Sequence, residues 1–186
     1  VTRLWVHGAS VGDMRAIEPV VKRLENREPQ RDFHITAWTR GGRELGEQLY
    51  GTHRIAQPPS PIMPWARRDI RAIAPNLAIF EYLEFWTAWP RACALQHIPM
   101  VVIGGRITER SLRIARFPRP AARRLTLFCA QTQGDAERAR LLGVCPTRIH
   151  VIGNCKYDGF RLGAPPVSDE LRRAVDRLEQ AVTSID

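Results

Sequence analysis

The stretch Leu4-Trp5-Val6-His7-Gly8-Ala9-Ser10-Val11-Gly12-Asp13 passes from an apolar run into a turn of small and polar residues. Beyond it, Ile17, Val20, Val21 and Leu24 recur at helical spacing. A strand, a glycine-bearing turn and a helix in that order form the opening of a β-α unit. Pro19 falls inside the helical stretch, so this helix is expected to kink or to begin late.

The same alternation continues outward. Residues 33–38 read as a strand and 43–50 as a short helix. Residues 57–64 hold four prolines in eight positions and must be an extended loop. Residues 65–73 then read as a helix that stops before Pro75, 77–80 as a buried strand, 85–96 as a helix and 100–103 as a strand. A strand over 125–129, a helix capped by Asp135 and ended by Gly143, and a strand over 149–152 follow. Strands alternating with helices at this pitch predict an α/β fold built on a doubly wound parallel sheet. Residues 1–163 are expected to form one Rossmann-like domain. Ala164-Pro165-Pro166-Val167 reads as a linker, and Ser168 caps a helix with Leu171, Ala174, Val175, Leu178 and Val182 on one face. Residues 164–186 therefore lead towards a further domain or pack back on the sheet.

The composition is globular, with 44% hydrophobic and 25% charged residues in 186, enough chain to bury a core without a disulfide or metal staple. No apolar run is long enough for a transmembrane helix, and no secretory leader pattern opens the chain. Val1 in place of an initiator Met suggests a piece of something longer. The net charge is +9, and only Lys22 and Lys156 are lysines among 28 basic residues. Seven arginines lie between Arg106 and Arg124. Such a field attracts an anionic membrane surface or a phosphorylated substrate, unless it is merely a solvated face. Nucleic acid is not expected, because the basic stretch interleaves only Phe117 and carries no binding signature. Cys93, Cys129, Cys145 and Cys155 show no zinc spacing, and the histidines are scattered, so no metal is expected. Cys93 and Cys129 sit in apolar contexts and read as small core residues.

In an open parallel sheet, ligands bind beyond the carboxyl ends of the strands. Four such segments carry candidate chemistry. After the first strand, Ser10, Gly12 and Asp13 surround a helix start whose N–H groups are available to an anion. On spacing alone Asp13 reads first as a helix cap. After residues 77–80 come Glu81 and Glu84, acids at a strand end. After residues 100–103, Gly104-Gly105-Arg106 with Arg110 and Ser111 reads as an anion cradle. After the last strand, Gly153-Asn154-Cys155-Lys156 offers a compact point charge where the chain otherwise uses arginine. No dinucleotide or Walker motif occurs, and no cofactor is expected.

Together these segments resemble the N-terminal domain of 3-deoxy-D-manno-octulosonic acid (Kdo) transferases. Ser10-Val11-Gly12-Asp13 stands where that family has Ser-Val-Gly-Glu, and Tyr82-Leu83-Glu84-Phe85-Trp86-Thr87-Ala88 where it has Glu-Thr-Glu-aliphatic-Trp-Pro-Asn. Gly104 through Ser111 matches Asn-Ala-Arg-Leu-Ser-x-Arg-Ser, and Gly153 through Asp158 matches Gly-Asn-Leu-Lys-aromatic-Asp. The segment from Gln131 to Arg138 resembles the helix before the last strand. The departures mark a divergent member: Asp13 for Glu, Tyr82 for Glu, Thr87-Ala88 for Pro-Asn and Gly104 for Asn. The resemblance implies the Rossmann-like N-terminal half of a GT-B glycosyltransferase. Such a protein moves Kdo or a similar sugar from a CMP-sugar to lipid A or a related phosphorylated lipid, in lipopolysaccharide biosynthesis. It implies Asp13 as general base, Glu84 and Lys156 as stabilisers of the transition state, and the CMP-sugar held mainly by a second domain. Ser10, Gly12, Arg106, Arg110, Ser111 and Asn154 would contact substrate, at the cytoplasmic face of the bacterial inner membrane. There the protein would be peripheral or anchored by a segment outside this sequence. The alternative is a degenerate, non-catalytic module of the same fold that binds an anionic glycolipid.

Overall fold

A computed structural model of the chain describes residues 2–82, 88–113 and 119–157. Seven strands form one parallel sheet: β1 (Arg3–His7), β2 (Asp32–Thr36), β3 (Ile55–Ala56), β4 (Leu77–Phe80), β5 (Met100–Gly105), β6 (Leu127–Ala130) and β7 (Ile149–Val151). Their order is β3-β2-β1-β4-β5-β6-β7, so the winding reverses between β1 and β4. The helices are α1 (Val11–Arg27), α2 (Arg40–Tyr50), α3 (Trp65–Ile73), α4 (Trp89–Leu95), α5 (Glu109–Arg113), α6 (Arg119–Ala122) and α7 (Gln133–Leu142).

Both faces of the sheet are covered. The two-residue period of β1 sends Leu4 and Val6 to one side, where they pack with Met14, Ile17, Val21, Phe33 and Ile35. Trp5 points to the other side, among Ile70, Phe80, Trp89, Val102 and Phe128. Burial on both faces is what a parallel sheet requires, and it explains the continuous apolar strands. Both buried indoles find partners: the Trp5 N–H donates to Thr36 Oγ1 at 2.9 Å, and the Trp89 N–H to the Ser60 carbonyl at 3.0 Å. Cys93 and Cys129 are buried as expected, and Cys155 is buried too.

Several local expectations are corrected. Helix α1 begins at Val11, not late, and runs through Pro19 to Arg27. Asp13 secures its first turn, and buried Met14 and Ile17 before the proline and Val21 after it hold the helix to the sheet. These interactions outweigh the one backbone bond that proline removes. The described part of the helix expected over 85–96 starts at Trp89, with Pro90 in its first turn where no N–H is needed. Thr132, not Asp135, caps α7: its Oγ1 accepts the Asp135 N–H at 3.1 Å. The short edge strand β3 and helices α5 and α6 were not foreseen. The expected linker and helix over 164–186 lie outside the described residues.

Candidate active site at the sheet switch point

The reversal between β1 and β4 opens a crevice beyond their carboxyl ends. At their ends Gly8 N–H donates to the Thr36 carbonyl of β2 at 3.1 Å, and Glu81 N–H to the His7 carbonyl of β1 at 3.0 Å. A Cβ on Gly8 would lie 3.0–3.2 Å from Met14 and Asp13, so a side chain there would push the turn off α1 by a few tenths of an ångström. Ser10 ends the turn as the N-cap residue. Asp13 reaches back to it, and its Oδ2 accepts both the Ser10 N–H at 2.9 Å and the Ser10 hydroxyl at 2.8 Å. Asp13 is thus a cap partner in fact as well as on spacing.

Lys156 arrives from the far side of the sheet. After β7, Gly153 adopts φ +85° and turns the chain, and Asn154 Oδ1 accepts the Lys156 N–H at 3.0 Å. The Cys155 thiol contacts the Ile103 carbonyl at 3.6 Å, which pins this turn against β5. The Lys156 ammonium then lies 3.6 Å from where a Gly12 Cβ would stand, and Ser10 Oγ lies 3.8 Å from the same point. Ser10, Gly12, Asp13 and Lys156 therefore converge on the first turn of α1, with Asn154 holding the Lys156 backbone, and the N–H groups and dipole of that turn also favour an anion.

Glu81 completes the cluster, although the sequence reading favoured Glu84. It follows β4 directly, is 1% exposed, and neither carboxyl oxygen has a hydrogen bond of ordinary geometry. Burial, helped by the Asp13 charge and opposed by Lys156, pushes its pKa up to about 8. Its side chain fills the space beside Gly104, where a Cβ would lie 2.5 Å from Glu81 Oε1. The signal was present in the sequence: an acid immediately after an apolar strand, opposite a glycine pair on the neighbouring strand. Glu84, Trp86 and Asp158 lie outside the described residues.

The segment after β5 is organised separately. Asp135 is buried and its Oδ1 accepts the Ile107 N–H at 2.9 Å. Arg138 bonds both the Ile107 carbonyl and Asp135. Burial would raise the Asp135 pKa, but bonds from Thr132, Ile107 and Arg138 hold it below the ordinary value. This clamp leaves Arg106 and Arg110 exposed, with Ser111 on the same helix α5 as Arg110. Among the described residues no hydrogen bond links either arginine to Asp13 or Lys156. Arg113, Arg123 and Arg124 are exposed as well.

The family model described as 3-Deoxy-D-manno-octulosonic-acid transferase (kdotransferase) matches residues 1–159. The chain belongs to that family. A 3-deoxy-D-manno-octulosonic acid transferase of Haemophilus influenzae is 27% identical over 180 residues, covering 94% of this chain and 41% of the relative. The enzyme of the same name from Bordetella pertussis is 31% identical over 166 residues, covering 83% of this chain and 38% of the relative. The chain thus spans about two fifths of these relatives' length. Among solved structures, UDP-GlcNAc 2-epimerase from Neisseria meningitidis bound to UDP-GlcNAc superposes with TM-score 0.62 at 16% identity, over 100% of this chain and 55% of that one. A lipopolysaccharide outer core galactosyltransferase superposes with TM-score 0.57 at 14% identity, over 83% and 46%. These likenesses establish the fold, the Rossmann-like half of a GT-B architecture.

Proposed function

We propose that this kdotransferase domain is the acceptor-binding half of an inverting glycosyltransferase. It would move Kdo or a similar sugar from a CMP-sugar to lipid A or a related phosphorylated lipid. A second domain, outside residues 1–163, would hold most of the sugar nucleotide. The observation that carries this reading is the convergence of Asp13, Ser10 and Lys156 at the switch point. In the reaction a carboxylate takes the acceptor hydroxyl's proton as the oxygen attacks the anomeric carbon, and the phosphate leaves with the bonding pair. Asp13, held by the Ser10 N–H and hydroxyl, would take the first role. Lys156, beside the N–H groups of α1, suits the second by offsetting negative charge on the sugar carboxylate or departing phosphate. Glu84 would assist it. Arg106 and Arg110 would face lipid phosphates, for which a guanidinium fork is well shaped.

The domain would work at the cytoplasmic face of the inner membrane. None of the described helices is long and apolar enough to cross a bilayer. Ile62 and Trp65 are 63% and 53% exposed at the proline-rich loop, beside Met63 packed on the core, which suits a peripheral contact. A non-catalytic glycolipid-binding module is the second reading, favoured by the engagement of Asp13 Oδ2 as a helix cap. Asp13→Asn in the full-length protein separates the two. Transfer from a CMP-sugar should fall about 10²-fold or more with the fold intact, the usual scale for removing a base. Near-full turnover by the variant would leave Asp13 as a cap alone.

A further inference from the structure

We propose that Glu81 is a positioning residue for Asp13: its buried carboxyl keeps its proton and donates it to the Asp13 carboxylate, so that the pair carries one negative charge. This deepens the transferase reading and rests on it. Three observations support it. Glu81 is buried with neither oxygen in a hydrogen bond of ordinary geometry, a state too costly for a lone carboxylate but tolerable for a neutral acid with the Asp13 carboxylate beside it. The site is shaped to receive that carboxyl, because Gly104 lacks the Cβ that would stand 2.5 Å from Oε1 and 2.8 Å from the Glu81 carbonyl oxygen. The charges also balance: one shared negative charge faces the single ammonium of Lys156, whereas two ionised carboxylates in contact would repel.

Among the described residues, the titratable groups facing Glu81 are few. Asp13 comes from α1 and Lys156 from the turn after β7, while β5 contributes Gly104. From β1 comes His7, whose backbone carbonyl accepts the Glu81 N–H and whose ring packs against Trp38 and Trp89. Both Ser10 donors go to Asp13 Oδ2, which leaves Oδ1 for the Glu81 proton and the incoming hydroxyl. The acceptor proton then passes to Asp13, the new bond forms from the hydroxyl oxygen to the anomeric carbon, and the bond to phosphate breaks. Glu81 ends the step with the proton it began with.

Infrared titration of the full-length protein tests the pair without relying on turnover. A protonated-carboxyl band should persist at neutral pH, disappear as pH rises through about 8, and be absent from Glu81→Gln. In Asp13→Asn the midpoint should fall by about one pH unit or more, since the neighbouring charge is gone. No such band at neutral pH, or a midpoint that Asp13→Asn leaves in place, overturns the proposal. Transfer is read in parallel. The parent should lose kcat on the alkaline side near the same midpoint, and Glu81→Gln should lack that limb. A Glu81→Gln profile that keeps the limb overturns the positioning role. A protein that shows the coupled band yet transfers no sugar supports the acid pair and contradicts the transferase reading instead.

Discussion

Glu81 bears on stability as well as on the site. Its pKa rises from an ordinary 4.5 to about 8, chiefly through burial. The folded state therefore binds a proton across that interval that the unfolded chain has released. Glu81's contribution is then most favourable below pH 4.5 and is lost as pH rises through about 8. Glu81→Gln should consequently be the more stable protein at high pH, by at most about 5 kcal/mol, with the advantage shrinking towards acid pH. Denaturant unfolding of both proteins across that range checks this, and an unchanged gap would contradict it. Gly104 belongs to the same packing problem. The family pattern has Asn there, and in this chain the neighbouring strand's Glu81 occupies the room that a side chain at 104 would need. Gly104→Ala should cost about 1–3 kcal/mol from this overpacking, measurable in the same unfolding assay. The Asn-to-Gly departure thus has a structural reason.

Secondary elements follow local rules that the sequence displays, except where tertiary contacts take over. Helix α3 and strand β4 were legible to the residue, because Pro64, Pro75 and the apolar run between turns bound them. The late start expected for helix α1 failed, since Pro19 gives a local signal and the burial that outweighs it is nonlocal. Asp135 was legible as belonging to a helix start. Its task, holding the Ile107 N–H from 28 residues away, was not, because no spacing rule encodes a bond across the sheet. Asp135→Ala would orphan that buried donor and free Arg138. It should cost about 1.5–3 kcal/mol, with the segment after β5 loosening first in hydrogen exchange. The basic stretch poses a different question at this scale. Arg113, Arg123 and Arg124 are exposed, and a surface base near an anionic bilayer contributes about 1 kcal/mol. Replacing these three together should weaken binding to anionic liposomes by well over tenfold. Unchanged binding would show that the stretch is only solvated.

At the scale of the molecule, the sheet order does what composition cannot: it brings segments distant in sequence to one crevice. Ser10, Asp13, Glu81 and Lys156 come from the ends of β1, β4 and β7 and meet because the winding reverses between β1 and β4. The parallel α/β class, the strand ends to inspect and most candidate residues were legible from alternation and motif. The burial of Glu81 was not, because it is the sheet and not the local sequence that buries this acid. On the proposed reading this crevice would form half of a GT-B cleft, and the chain spans 41% and 38% of the relatives it matches. Sugar transfer from CMP-Kdo to a lipid A precursor, measured side by side for residues 1–186 and for the full-length protein, tests the central claim most directly. The full-length protein should transfer and the fragment should not, while both stay folded. Robust turnover by residues 1–186 alone, or none by the full-length protein, would contradict the account.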